Sequence, residues 1–461
     1  MKRLLLLAVQ LAVVMLLLGG CQLPGRSAHP VYTELPLSGE DVPIGYHDDD
    51  YGFHILNRFT FVQPSGYDAK LTAHSYQTLS TDRQRELYDE IYNAAFCFSD
   101  QKSVYEGEYE MRPLFFDGTD YTAKEVEAAL IAVIDDHPEL FWMTTDFDLK
   151  THMDTGSTEV IVNASYPVDE VVAMMHKLND ALKRFYDEIP PSLTPYEREV
   201  YVYKYIIGHC EYDEKISSTA TYGDEHPSLF NLYGVMVDHK AVCEGYSYSF
   251  DFLCSHLGID TVCICGATDS EGDKDVGKAA SNLHIWNAVE LDGDWYMVDC
   301  TWDDLDNRDD YGEVFTYLNV TDKVLGIDHT PDPTYAQLSD EAYRSLTSYV
   351  NNFLPPACTA TKYCYYLNES VHLTSPDVRQ LADGIVEAVR KKRTSVMICI
   401  DSDRYTPDTM AKALFEGDQV YYQAMHQADD ALEGSPLNAD ADAAYYPIYD
   451  LNMLAFKLNY E

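Results

Sequence analysis

The sequence predicts an α+β protein, and three observations carry that assignment. A helix-period stripe runs from Val242 through Tyr246, Phe250 and Leu253 to Leu257, with Cys243 at its head. Two strand-like segments, 282–291 and 294–299, meet at Asp292-Gly293, a strong signal for a two-residue hairpin. Helix and strand patterns also mix on either side of this centre, so small α/β domains are expected to flank a central one.

At 461 residues the chain is too long for one compact core, and two or three domains are expected. It opens with Lys2 and Arg3, continues through residues 4–18, apolar but for Gln10, and reaches Gly19-Gly20-Cys21. Residues 1–20 therefore read as a secretory signal, too short and too promptly ended for a lasting membrane span. Leu18-Gly19-Gly20-Cys21 resembles a bacterial lipobox. The resemblance implies cleavage before Cys21 and lipidation of Cys21. The acyl chains would hold the protein on the extracytoplasmic side of a bacterial cell membrane.

Residues 21–75 carry Pro24, Pro30, Pro36, Pro43 and the run Asp48-Asp49-Asp50, and read as a tether and lead-in. An α/β domain is expected over 76–190. Residues 81–96 place Leu87, Ile91 and Ala94 on one helical side. Thr122 and Glu125 match a capping box before Val126, Leu130, Val133 and Ile134, and Pro138 ends that helix. A strand over 159–164 and an amphipathic helix over 168–186 follow. Pro190-Pro191 opens a central domain, 191–345. A last α/β domain, 357–461, is expected to hold a helix from Ser375-Pro376 to about Lys391, a strand over 395–400, a helix near Pro407 and a partly strand-like tail.

With 77 acidic against 32 basic residues, the formal charge of −45 repels polyanions, so no nucleic-acid partner is expected. The 37 tyrosines suit broad amphipathic surfaces. Of 11 cysteines, a lipidated Cys21 and a reactive Cys243 leave nine, an odd number that fits no fully paired set. Cys358 and Cys364 are candidates to pair, and most others are expected to be buried thiols. Cys263-Ile-Cys265 lacks a second pair at zinc spacing, and the acidic run from Asp303 to Asp310 puts Asp309 where a calcium loop needs glycine. No metal and no cofactor is expected.

A helix N-terminus favours negative charge, so the Cys243 thiol is expected to be pushed towards thiolate. First-turn amides lack helical partners and can donate to an oxyanion. A buried structural cysteine could occupy the same position, and this segment alone does not decide. With Asp292-Gly293 as the turn, Leu291 opposes Asp294 and Trp286 faces Asp299. His284 and Asp299 then lie diagonally on one face, within side-chain reach. An aspartate there can fix the tautomer of the histidine and stabilise its charged form.

A helix-capping Cys, a strand His and an Asp on the next strand form an order that resembles the transglutaminase-like superfamily, whose fold is papain-like. The segments 203–213, Leu232-Tyr-Gly-Val-Met-Val237, Ala241-Val-Cys-Glu-Gly-Tyr246, His284-Ile-Trp-Asn287 and 294–304 are similar to it as well. The resemblance covers about residues 195–330 and is to bacterial surface proteins with one such domain. It implies a papain-like core with flanking α/β domains. It implies Cys243 as a nucleophile forming a thioester, His284 as base and then acid, and Asp299 as the group that orients His284. The Cys243 amide would be one oxyanion donor, with Tyr233 as candidate for a second. Trp286, Trp295 and Trp302 are candidates to wall the site. Protein, peptide or cell-wall peptide is the implied substrate. Water as acceptor makes a cysteine protease or amidase, and a lysine amine makes a protein-glutamine acyltransferase. The alternative is a non-catalytic binding or scaffold lipoprotein that keeps the fold.

Overall fold

A computed structural model describes residues 42–105, 107–217, 222–268, 283–304, 312–331, 353–416 and 419–460. The signal segment 1–20, Cys21, and the stretch 305–310 of the acidic run lie outside the described residues. Among the described residues helix accounts for 38% and strand for 24%, the mixed class expected.

The first sheet holds seven strands: β1 (Tyr46–Asp48), β2 (His54–Leu56), β3 (Cys97–Lys102), β4 (Tyr109–Met111), β5 (Leu114–Asp117), β6 (Met143–His152) and β7 (Ser157–Ala164). Their order is β1-β2-β3-β4-β7-β5, with β6 also paired to β7. Three long helices accompany them: α1 (Asp82–Ala94), α2 (Ala123–Asp136) and α3 (Val168–Glu188). Thr81 with Gln84, and Thr122 with Glu125, close capping boxes that satisfy first-turn amides. The lead-in differs from the tether expected over 21–75. Within it, β2 pairs with β3, and the Lys70 amide donates to the Ser255 carbonyl at 2.8 Å. Its prolines and acids suggested an unpacked chain, but Leu56 and Phe61 are buried and hold it down.

The central region begins with α4 (Pro195–His209), capped by Thr194 and Glu197. Short parallel strands β8 (Glu211–Tyr212) and β9 (Lys240–Ala241) lead to α5 (Cys243–His256). Then come β10 (Asp260–Thr268), β11 (Leu283–Leu291), β12 (Asp294–Val298) and β13 (His329–Pro331), an antiparallel sheet in the order β12-β11-β10-β13. Asp292 and Gly293 both have positive φ, 55° and 88°, as a tight hairpin turn requires. The register runs from Leu291↔Asp294 to Asn287↔Val298, the pairing expected from the sequence. Helix α5 is tied to β11 by Ser247 Oγ donating to the Ile285 carbonyl at 3.0 Å. Asn287 Nδ2 returns a bond to the Ser247 carbonyl at 3.1 Å.

One apolar core joins the first sheet to this region, so Pro190-Pro191 does not divide the packing. Phe185 on α3 meets the Tyr205 ring of α4 at 4.6 Å. The last region is built from β14 (Val371–Leu373), α6 (Val378–Arg390), β15 (Ser395–Ile400), α7 (Val420–Asp430), β16 (Tyr445–Ile448) and β17 (Met453–Lys457). Its sheet, β14-β15-β17-β16, has a core of its own around Leu381, Ile398, Tyr421 and Phe456. The ten described cysteines are buried, reduced thiols. Cys358 and Cys364 are therefore not joined, and the Cys358 thiol faces the Pro356 carbonyl at 3.6 Å instead. Among the described residues no helix is long and apolar enough to cross a membrane.

Candidate active site

Helix α5 begins at Cys243 because Val242 is extended and hands its amide to the Leu229 carbonyl at 2.9 Å. The next turn packs closely against the loop before it. A Cβ at Gly245 would lie 2.6 Å from the Leu229 carbonyl oxygen, so only glycine fits. Cys243 is 9% exposed, and its thiol donates to Glu244 Oε2 at 3.2 Å. The backbone of Ile285, one residue along β11 from His284, also bonds the thiol. Burial first, then the Glu244 carboxylate and Asp299, push the thiol pKa well up, and the Ile285 bond only partly opposes them. These influences act against the thiolate expected from the position of Cys243 at a helix N-terminus.

Asp299 follows β12 directly and is buried. Its Oδ2 meets His284 Nε2 at 2.6 Å. Its Oδ1 accepts the amides of Thr301 and Trp302 at 2.8 and 3.1 Å. The diagonal His–Asp pair read from the hairpin is therefore formed. Oδ2 meets a second ring as well, His329 Nε2 at 2.9 Å, and Asp328 Oδ1 lies 2.6 Å from the Nδ1 of that ring. Burial alone would raise the Asp299 pKa. The charge and bond of His284, with the bond of His329, hold it well below the usual carboxylate range. With Nε2 of His284 turned to Asp299, Nδ1 is the nitrogen left to serve a thiol.

His329 escaped the sequence reading. It comes 45 positions after His284, on a strand that pairs with β10 rather than with the hairpin, so no local register pointed to it. Gly266 makes its approach possible. A Cβ there would fall 2.3 Å from the Thr330 carbonyl oxygen and 2.6 Å from the Trp286 ring.

The rings of Trp286 and Trp302 each lie 6.1 Å from that of His284. Trp295 instead packs on His74 and Phe353. Tyr233 is turned elsewhere: its ring lies 5.6 Å from Phe141 and its side chain bonds Lys177 of α3. Tyr212 on β8 is the tyrosine that approaches the thiol. Burial, then the charges of Cys243, Glu244 and Asp299, raise its pKa. The segment 203–213, similar to the superfamily in sequence, ends in this strand.

A helix headed by a buried cysteine, packed on an antiparallel sheet that carries an Asp-bound histidine, is the arrangement of a papain-like fold. Residues 183–300 match the family model of the transglutaminase-like superfamily and form a transglutaminase-like domain. Mouse kyphoscoliosis peptidase is 27% identical over 169 residues, which are 36% of this chain and 22% of that protein. The human protein is 29% identical over 174 residues, 36% and 25% of the two chains. The chain thus spans about a quarter of the length of these relatives. A solved transglutaminase is similar at 15% identity over 34% of this chain and 44% of its own, with a TM-score of 0.23. The family match and the relatives support a cysteine-dependent peptidase or acyltransferase class.

Proposed function

We propose that the chain is a cysteine-dependent amidase or peptidase, carried on an exported lipoprotein anchored at Cys21, that acts on protein or cell-wall peptides. The observation that supports this most is the buried 2.6 Å bond to Asp299 from His284, which lies on the same strand, β11, whose Ile285 backbone bonds the Cys243 thiol. In this reading an acyl carbonyl sits over the α5 N-terminus. His284 Nδ1 takes the thiol proton as Sγ attacks the carbonyl carbon. The C–N bond then breaks, the amine leaves with that proton, and a thioester remains. Water, deprotonated by His284, releases the acid and restores the thiol. A lysine amine in place of water would give transfer instead. The first-turn amides face the developing oxyanion.

The test is iodoacetamide labelling of the full chain between pH 5 and 9, with peptide mass spectrometry of each cysteine, in the native protein and in His284→Ala. Cys243 is expected to react faster than the other thiols, and to slow in the variant. Reactivity like an ordinary buried thiol in both proteins defeats the catalytic reading and favours a binding lipoprotein that keeps the fold.

A further inference from the structure

The roles given to Cys243, His284 and Asp299 leave His329 unused. Its ring lies between two carboxylates, with Nε2 2.9 Å from Asp299 and Nδ1 2.6 Å from Asp328. An ionised carboxylate only accepts hydrogen bonds, so both nitrogens carry protons and the ring is an imidazolium. Its side chain has no exposed surface. Trp302, Trp286 and Tyr317 surround it at 4.6, 5.1 and 5.5 Å, and His284 lies 5.4 Å away. Tyr317 Oη donates to Asp328 Oδ2 at 2.5 Å and fixes the outer carboxylate. Glu244, Asp299, Tyr212 and Cys265 are titratable groups that interact with Cys243. Glu244 and Asp299, with Asp328 behind His329, put three carboxylates about the centre, and His329 is the buried cation set against them.

We propose that His329 is a positioning residue acting through Asp299: its positive charge offsets the field of the aspartate at His284 and so leaves that imidazole better able to take the Cys243 proton. This rests on the reading of Cys243 and His284 as nucleophile and base. The argument is one of competing fields. Asp299, in direct contact with His284, favours the protonated ring, and a protonated ring cannot act as a base. A full positive charge one ring away opposes that preference. Burial works against the charge on His329, but its bonds to Asp299 and Asp328 lift its pKa to about 9, so the charge persists through the neutral range.

Iodoacetamide labelling of Cys243 in the full chain from pH 5 to 10 tests this. Gln in place of His329 can still donate to Asp299 but carries no charge. In His329→Gln the midpoint of the His284-dependent reactivity is expected to move up by about one pH unit or more. A purely structural role would lower the rate at every pH and leave the midpoint in place, which overturns the proposal. Should the variant not fold, nitrogen-15 histidine spectra of the native chain decide the matter. Two protonated nitrogens on His329 at pH 7 support the proposal, and a neutral ring there overturns it. A Cys243 indifferent to His284 overturns the catalytic reading and this inference with it. Reactivity that needs His284 but is unmoved by His329→Gln overturns this inference alone.

Discussion

The two ends of α5 bury carboxyl groups in opposite ways. Beside its N-terminus, Asp299 accepts two histidine rings and two amides and is held ionised. Beside its C-terminal half, Asp135, Asp136 and Asp251 line a cavity of about 30 Å³ with His256 and Cys263. There the donors are neutral: Tyr248 to Asp135 at 2.8 Å, the Ser75 and Tyr76 amides to Asp136 at 2.8 Å, and Thr261 to Asp251. Burial dominates, lifting Asp135 to about 7, Asp251 to about 8 and Asp136 well above its ordinary value. The same residue type at similar depth becomes a charge at one end and an acid at the other. Hydrogen bonds alone do not pay for a buried charge; a cation in contact does.

The sharpest way to break the contrast is to remove one carboxylate from each end. Asp299→Asn keeps the shape but not the charge that orients His284. Thioester formation at Cys243 is expected to fall by about 10³–10⁴-fold. Asp135→Asn, which keeps the acceptor for Tyr248, is expected to stay within about twofold. Single-turnover acylation of both variants with an activated ester measures this. Equal losses would mean that the two ends are not different.

Stability against pH sharpens the same contrast. His329 has a folded pKa of about 9 against an ordinary 6.5, so its stabilisation is full below 6.5 and is lost as pH rises through 9. That is about 3 kcal/mol from this one group. Asp135, Asp303, Asp251 and Glu199, lifted to about 7, 7, 8 and 8, bind protons more tightly folded than unfolded, and they also lose stability as pH rises through those values. Asp299 has the opposite sign, but its contribution is present above its ordinary 3.8 and is not lost until pH falls towards its depressed folded value. Urea unfolding at pH 5, 7 and 9 is therefore expected to show greatest stability at pH 5. A flat or rising profile would contradict the assignments at both ends.

How much of this could be read in advance follows the range of the interactions. The α5 stripe, the Thr122 capping box and the Asp292-Gly293 hairpin are local, and the hairpin register alone put His284 beside Asp299. The raised Cys243 thiol and the approach of His329 depend on burial and on β13 crossing to β10, which no local pattern encodes. The packed lead-in was missed for the same reason. Gly266 tests that long-range part directly. Gly266→Ala is expected to push β13 from β10, to cost about 1–3 kcal/mol, and to move the Cys243 pH midpoint in the same direction as His329→Gln. Thermal melting and labelling on one preparation report both effects. A destabilised protein with an unmoved midpoint would separate the fit of β13 from the charge it carries.

The smallest expected effect belongs to Tyr212. It lies on β8, and its phenol interacts with Cys243, Glu244 and Asp299. Its raised pKa keeps it a neutral donor at any working pH, so it can bond a developing oxyanion or thiolate without adding charge. Tyr212→Phe removes that one bond and little else, since the residue is 37% exposed. Acylation is expected to slow about tenfold, the equivalent of one neutral hydrogen bond, while stability changes by less than about 0.5 kcal/mol. Stopped-flow acylation at pH 7 compared with pH 9 distinguishes its role. A donor to the transition state costs the same factor at both values. A group that tunes the thiol would shift the pH midpoint, and Tyr212 would then belong with His329 rather than with the α5 amides.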